Sequence, residues 1–143
     1  KRATITILSV FMLLCANAEE IKAPKITAGP YIQACSDSEF TVVWQTDCDA
    51  LSWVEIAPDD GTHFYNTARK QFFHTIHGRR PIGRWHTITV SGLEANTTYR
   101  YRILNKGVVL NEGNHRVRYS EGKGSNVYSR QPYRVRTLGK GEG

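Results

Sequence analysis

From Ile26 to Thr137 apolar residues recur at every second position. That is the period of a strand with one buried and one solvated face, not of a helix. Phe40-Thr41-Val42-Val43-Trp44-Gln45-Thr46 sets Phe40, Val42 and Trp44 on one side. Trp53-Val54-Glu55-Ile56 is a second short alternation, ended by Pro58-Asp59-Asp60-Gly61, a cluster of turn residues. Trp85-His86-Thr87-Ile88-Thr89-Val90 is rich in β-branched residues and stops at Ser91-Gly92, with His86 in register with Ile88 and Val90 and so facing inward. Thr98 to Ile103 alternates aromatic and basic residues, which turns Tyr99, Tyr101 and Ile103 to the core, and Tyr133 to Thr137 repeats the alternation. No window in this span reads as a capped amphipathic helix. Short strands with turns between them predict an all-β chain folded as an antiparallel sandwich.

One corner of that sandwich is written sharply. In Gly92-Leu93-Glu94-Ala95-Asn96-Thr97-Thr98-Tyr99, Leu93 stands six residues before a tyrosine that opens a strand. A tyrosine so placed turns its hydroxyl back to the backbone upstream and closes the corner where the chain changes sheets. Asn96 falls where such a corner requires a positive φ, which asparagine tolerates. The same Asn96-Thr97-Thr98 matches a glycosylation acceptor, but the corner explains it without a glycan. Two connections exceed what a minimal sandwich needs: His63 to Gly83, and Asn105 to Arg130, the latter rich in Gly, Asn and Ser. Connections beyond about 12–15 residues tend to be functional or mobile.

At 143 residues, 40% apolar and 10% aromatic, the chain has material for one ordinary core and is no disordered tail. Lys1-Arg2, the apolar run Ile5 to Cys15 and Ala16-Asn17-Ala18 read as a signal peptide over residues 1–18. The 11 residues of that run fall short of the roughly 20 that span a bilayer. The reading places the mature chain outside the cytoplasm, secreted or periplasmic, with no membrane attachment after cleavage. Seventeen basic against thirteen acidic side chains then leave +4, a spread and modest excess that gives no argument for nucleic acid. Cys35 and Cys48 remain. With one at a hairpin end and the other at the far end of the next strand, they lie ~30 Å apart. A disulfide needs Cα atoms within about 7 Å, so free, partly buried thiols are expected. Gly139-Lys140-Gly141-Glu142-Gly143 has the composition of a linker over residues 139–143.

Candidate chemistry is sparse. Gly113-Asn114-His115 matches one ligand block of binuclear metallophosphoesterases, but such a site takes about six or seven ligands. No Asp-x-His or Gly-Asp accompanies it here. His74 and His77 do not share a face as i, i+4 histidines on a helix do. His77, Arg79, Arg80 and Arg84 beside Trp85 form the one candidate contact loop, since arginine forks match oxyanions and indoles stack on rings. Trp44, His86, Leu93, Tyr99 and Tyr101 are assigned structural roles. No catalytic, metal or cofactor-binding residue is assigned.

The stretch from Pro24 to Leu138 resembles the fibronectin type III-like N-terminal domain of purple acid phosphatases and related calcineurin-like metallophosphoesterases. The features that carry the resemblance are Ile26-Thr27-Ala28-Gly29-Pro30-Tyr31, Val42-Val43-Trp44-Gln45-Thr46, His86 to Leu93, and Thr97 to Ile103, in that order. It implies an immunoglobulin/fibronectin type III-like sandwich over 24–138. It also implies a non-catalytic module that packs on and positions a C-terminal metallophosphoesterase domain of the same parent chain. The resemblance places the binuclear metal, of the Fe, Zn or Mn type, in that other domain, and no cofactor in this one. The alternative from another class is an extracellular glycan- or protein-binding module, which would display Trp53, Trp85 and nearby tyrosines in an exposed line.

Overall fold

The computed structural model describes residues 21–111, 113–125 and 131–141. The expected signal peptide (1–18) lies outside the described residues, as does the end of the expected linker. The fold is all-β: β1 Ile26–Gln33, β2 Phe40–Pro58, β3 Lys70–Phe72, β4 Gly83–Val90, β5 Thr98–Asn111, β6 Arg116–Tyr119, β7 Lys123–Gly124 and β8 Tyr133–Arg136. All the pairings are antiparallel. The described helical content is one three-residue 3₁₀ turn, Phe64–Asn66.

The sheet curls into two layers because β2 serves both. Its first half pairs with β1 and β4, for example Trp44 with His86, and its second half pairs with β5 from Ala50↔Gly107 to Pro58↔Tyr99. The sequence expectation of two separate strands at Phe40–Thr46 and Trp53–Ile56 is therefore corrected. Asp47-Cys48-Asp49 is not a loop but the corner of one continuous strand. Ladder bonds shift there between Gln45 and Ala50, and side chains carry the bend. Asp47 Oδ1 accepts from the Lys25 backbone N–H at 2.8 Å, and Thr46 Oγ1 donates to the Cys48 carbonyl at 2.9 Å.

Between the layers, Phe40, Val42, Trp44, Val54, Ile88, Val90 and Ile103 are fully buried or nearly so. Aromatic contacts join the layers directly: the Phe40 ring lies 5.7 Å from Tyr101, which in turn lies 5.4 Å from Tyr133. Burial, with Tyr133 beside it, pushes the Tyr101 hydroxyl up to about 12. Trp44 Nε1 donates to Asn105 Oδ1 at 2.8 Å across the core, so neither buried polar group is left unpaired.

The tyrosine corner closes as its spacing requires. The Glu94 backbone N–H donates to Tyr99 Oη at 2.9 Å, Asn96 adopts φ 52°, and Leu93 packs on the core cluster. Cys35 and Cys48 are free and half-buried. The Asn105–Arg130 segment, expected as an irregular connection, is in its described part mostly strand. β5 continues to Asn111, and β6 pairs back along it from Val108↔Tyr119 to Asn111↔Arg116.

A candidate cationic aromatic pocket

The outer face of β2 and β5 is set by direct cross-strand pairs. Glu55 lies opposite Arg102, Trp53 opposite Leu104 and Leu51 opposite Lys106, while Val54 and Ile56 take the inner face. Glu55 is only 6% exposed although it points away from the core. Arg69 Nε and Arg102 Nε donate to its Oε2 at 2.7 and 2.8 Å. Burial pushes the Glu55 carboxyl up, but these two arginines outweigh it and hold the group below its ordinary value. The arginines themselves lie over the Phe64 and Tyr65 rings. This half of the face is a closed, satisfied network.

The other half is open. The segment after β3 folds back through a tight turn at His77-Gly78, both with positive φ, locked by reciprocal backbone bonds between Ile76 and Arg79. Glycine and a tolerant residue suit those two positions of a primed turn. The turn delivers Arg80 to the sheet. Its guanidinium lies 4.1 Å from the Phe73 ring centroid and 5.7 Å from Trp53, and Nη2 donates to the Ser52 carbonyl at 3.3 Å. Arg80, Trp53, Phe73, Lys106 and Tyr119, with Leu51 and Gln71, line a cavity of about 300 Å³. Among the described residues Arg80 Nε and Trp53 Nε1 are buried without an acceptor. Burial lowers the Arg80 pKa, and among the described residues no carboxylate forms an ion pair with it.

Of the candidate loop, only Arg80 turns inward. Arg79 is exposed, His77 sits at the tip of the turn, and Arg84 is exposed, 3.8 Å from Asp49. Trp85, at 63% exposure, lies on the far side of Arg80 and lines a second cleft of about 200 Å³ with His74, Ile76 and Thr87. Of the three arginines, Arg80 shares a cleft with Trp85 and lays its guanidinium over the Phe73 and Trp53 rings. Of the three indoles, Trp44 lies in the core, Trp53 is half-buried on the outer face and Trp85 is exposed.

Sequence reasoning missed Trp53, Phe73, Lys106 and Tyr119 as a group. A signal existed for Trp53, because a residue out of phase with Val54 and Ile56 must face away from the core.

His86 is satisfied within the sandwich. Ser52 Oγ and Thr46 Oγ1 lie 2.9 Å from Nδ1 and Nε2. Thr46 already donates to the Cys48 carbonyl, so Nε2 carries the proton and Nδ1 accepts from Ser52. Burial drops the pKa of this imidazole to about 4. Gly113-Asn114-His115 forms the turn between β5 and β6, with Asn114 Oδ1 accepting from the Arg116 N–H at 3.0 Å. Among the described residues no three His, Cys, Asp or Glu side chains group as metal ligands.

A family model described as Purple acid Phosphatase, N-terminal domain, matches residues 30–137. No curated protein matches the chain.

Proposed function

The chain belongs to the purple acid phosphatase N-terminal domain family, and from that premise we propose that it is a non-catalytic module of a secreted metallophosphoesterase. It packs on the catalytic domain of its parent and holds it in place. The observation that carries the reading is a convergence. The two segments set apart as too long for a minimal sandwich meet on one face, Arg80 from the first and Lys106 and Tyr119 from the second.

From that face the β5–β6 ribbon extends. Directly paired residues share a side of a ribbon, so Val108, Leu110, Val117 and Tyr119 form one apolar side. Leu110 is 56% exposed, and Val117 and Tyr119 are exposed as well. A two-stranded ribbon is marginal alone in water, and an apolar side beside a cationic pocket suits a protein partner. Interfaces between domains of one chain bury about 600–1,500 Å², an area this side and the pocket rim together can supply. The binuclear metal and the phosphate-binding groups belong, on this reading, to the catalytic domain, and residues 1–18 direct secretion. A glycan-binding role needs a row of displayed indoles, and Trp85 stands without Trp53 beside it.

The test is to incubate the 143-residue chain with a chromogenic phosphomonoester and added Fe, Zn or Mn. No turnover above blank is expected, and clear turnover overturns the non-catalytic role. The reading frame beyond the Gly143 codon is expected to encode Asp-x-His, Gly-Asp, Gly-Asn-His and Gly-x-His blocks. An immediate stop there removes the partner domain.

A further inference from the structure

We infer that the Trp53–Phe73–Arg80 cavity is a binding site for a small organic oxyanion, a carboxylate or phosphate carried on a flat apolar body. This goes beyond the packing role and does not depend on it.

Three features of the cavity set the ligand class. The first is charge. Arg80 and Lys106 both line it, Arg80 has given up part of its hydration, and among the described residues the lining includes no acid. A desolvated cation without a counter-charge is costly unless something compensates it. Nearby Glu55 is already committed to Arg69 and Arg102, and the Phe73 and Trp53 rings and the Ser52 carbonyl leave Arg80 without a full counter-charge that an entering anion would supply. A guanidinium presents its fork best to a planar carboxylate or to two phosphate oxygens.

The second feature is shape and surface. The walls are the Trp53, Phe73 and Tyr119 rings with Leu51 and the Lys106 stem, which favours a ring or similar flat body stacked among them. At about 300 Å³ the space sits at the lower end of small-molecule pockets, about 300–1,000 Å³. A single Asp or Glu side chain reaching in from a partner would leave most of it empty.

The third is unmet hydrogen-bonding capacity. Among the described residues Trp53 Nε1 and Arg80 Nε are buried donors without acceptors, a state that costs stability. An oxyanion entering beside Arg80 supplies acceptors at a wall that is otherwise rich in donors.

The experiment follows the three indole N–H resonances of the full chain by NMR during titration with benzoate, phenyl phosphate and neutral benzamide. The Trp53 resonance, assigned with Trp53→Phe, is expected to move saturably with benzoate, phenyl phosphate or both in the millimolar range, and not with benzamide. Which of the two anions acts identifies the oxyanion. The Trp44 resonance, fixed by its bond to Asn105, reports that the core is intact. Arg80→Gln is expected to weaken binding about tenfold or more, the value of one charge-assisted hydrogen bond, and Arg80→Lys to restore part of it. Should Arg80→Gln disturb the Trp44 resonance, Lys106→Met serves in its place and is expected to weaken binding severalfold. Equal response to benzamide, undiminished binding by the folded charge-removing variant, or no saturable movement overturns the inference. Absence of phosphatase activity bears on none of these readouts.

Discussion

His86 shows how a single side chain ties the sandwich to pH. Its ring is 4% exposed and bridged by two hydroxyls, so the neutral form fits and the cation does not. The folded pKa of about 4 lies below the ordinary histidine value of about 6.5. The unfolded chain therefore binds more protons between those two values, and stability rises with pH across that window. The contribution is fully present above pH 6.5 and is lost progressively as pH falls toward 4. Between pH 7 and pH 5 the loss amounts to about 2 kcal/mol. Urea unfolding at the two pH values measures it, and His86→Gln is expected to flatten the difference. Glu55, whose carboxyl is held low, is mainly ionised at both pH values, so the difference reports chiefly on His86. The inward position of His86 was legible from its register with Ile88 and Val90. Its two hydroxyl partners were not, because Ser52 arrives from the far half of β2, across a bend that no local pattern announces.

At the scale of elements, alternation reveals faces but not continuity. Phe40, Val42 and Trp44 are recognisable as an inner face because their neighbours are polar. Nothing in Asp47-Cys48-Asp49 distinguishes a loop from a strand that turns a corner with its ladder shifted, and the difference rests on Lys25 and Lys22 meeting Asp47. The ribbon was hidden by composition: glycine, asparagine and serine around it masked the alternation of Val108, Leu110, Val117 and Tyr119. The arginine-rich loop was visible as a cluster. Which arginine turns inward is decided by Phe73, earlier in the same segment, and by Trp53 on β2, distant in sequence. Gly107 links these elements. A Cβ there would collide with the Lys22 carbonyl and stand 3.3 Å from Ser120 Oγ, which itself accepts from the Gly107 N–H at 2.8 Å. Gly107→Ala is accordingly expected to unseat the segment before β1 and to cost about 1–3 kcal/mol in urea unfolding. The Asp47 carboxyl, held at about 2 by Lys22 and the Lys25 N–H, is expected to return toward about 3.9 in an NMR titration of the variant. An unmoved Asp47 would show that β1 does not depend on this close approach.

For the whole molecule, the decisive asymmetry is that one end of the outer face is internally closed and the other is not. Around Glu55, arginines and aromatic rings satisfy one another, whereas the ribbon offers Leu110, Val117 and Tyr119 to water and β6 is, among the described strands, the edge of the sheet. Unprotected edges and apolar faces promote association. Here Arg116 and Arg118 lie on the ribbon's other side, and the chain's formal charge of +6 makes copies repel one another. These two tendencies oppose each other with different salt dependences. Hydrophobic burial survives added salt, whereas repulsion between surface charges is screened once the Debye length falls below about 10 Å. Sedimentation velocity of the isolated chain is therefore expected to show weak, concentration-dependent self-association that strengthens from low to moderate NaCl. Leu110→Lys, which places a charge in the centre of the apolar side, is expected to leave the chain monomeric under the same conditions without lowering its unfolding midpoint, because Leu110 contributes little to the core. A chain that stays monomeric at every salt concentration would mean the ribbon's apolar side is too small or too twisted to bury, and the packing surface would then have to be sought on the Trp85 side of Arg80.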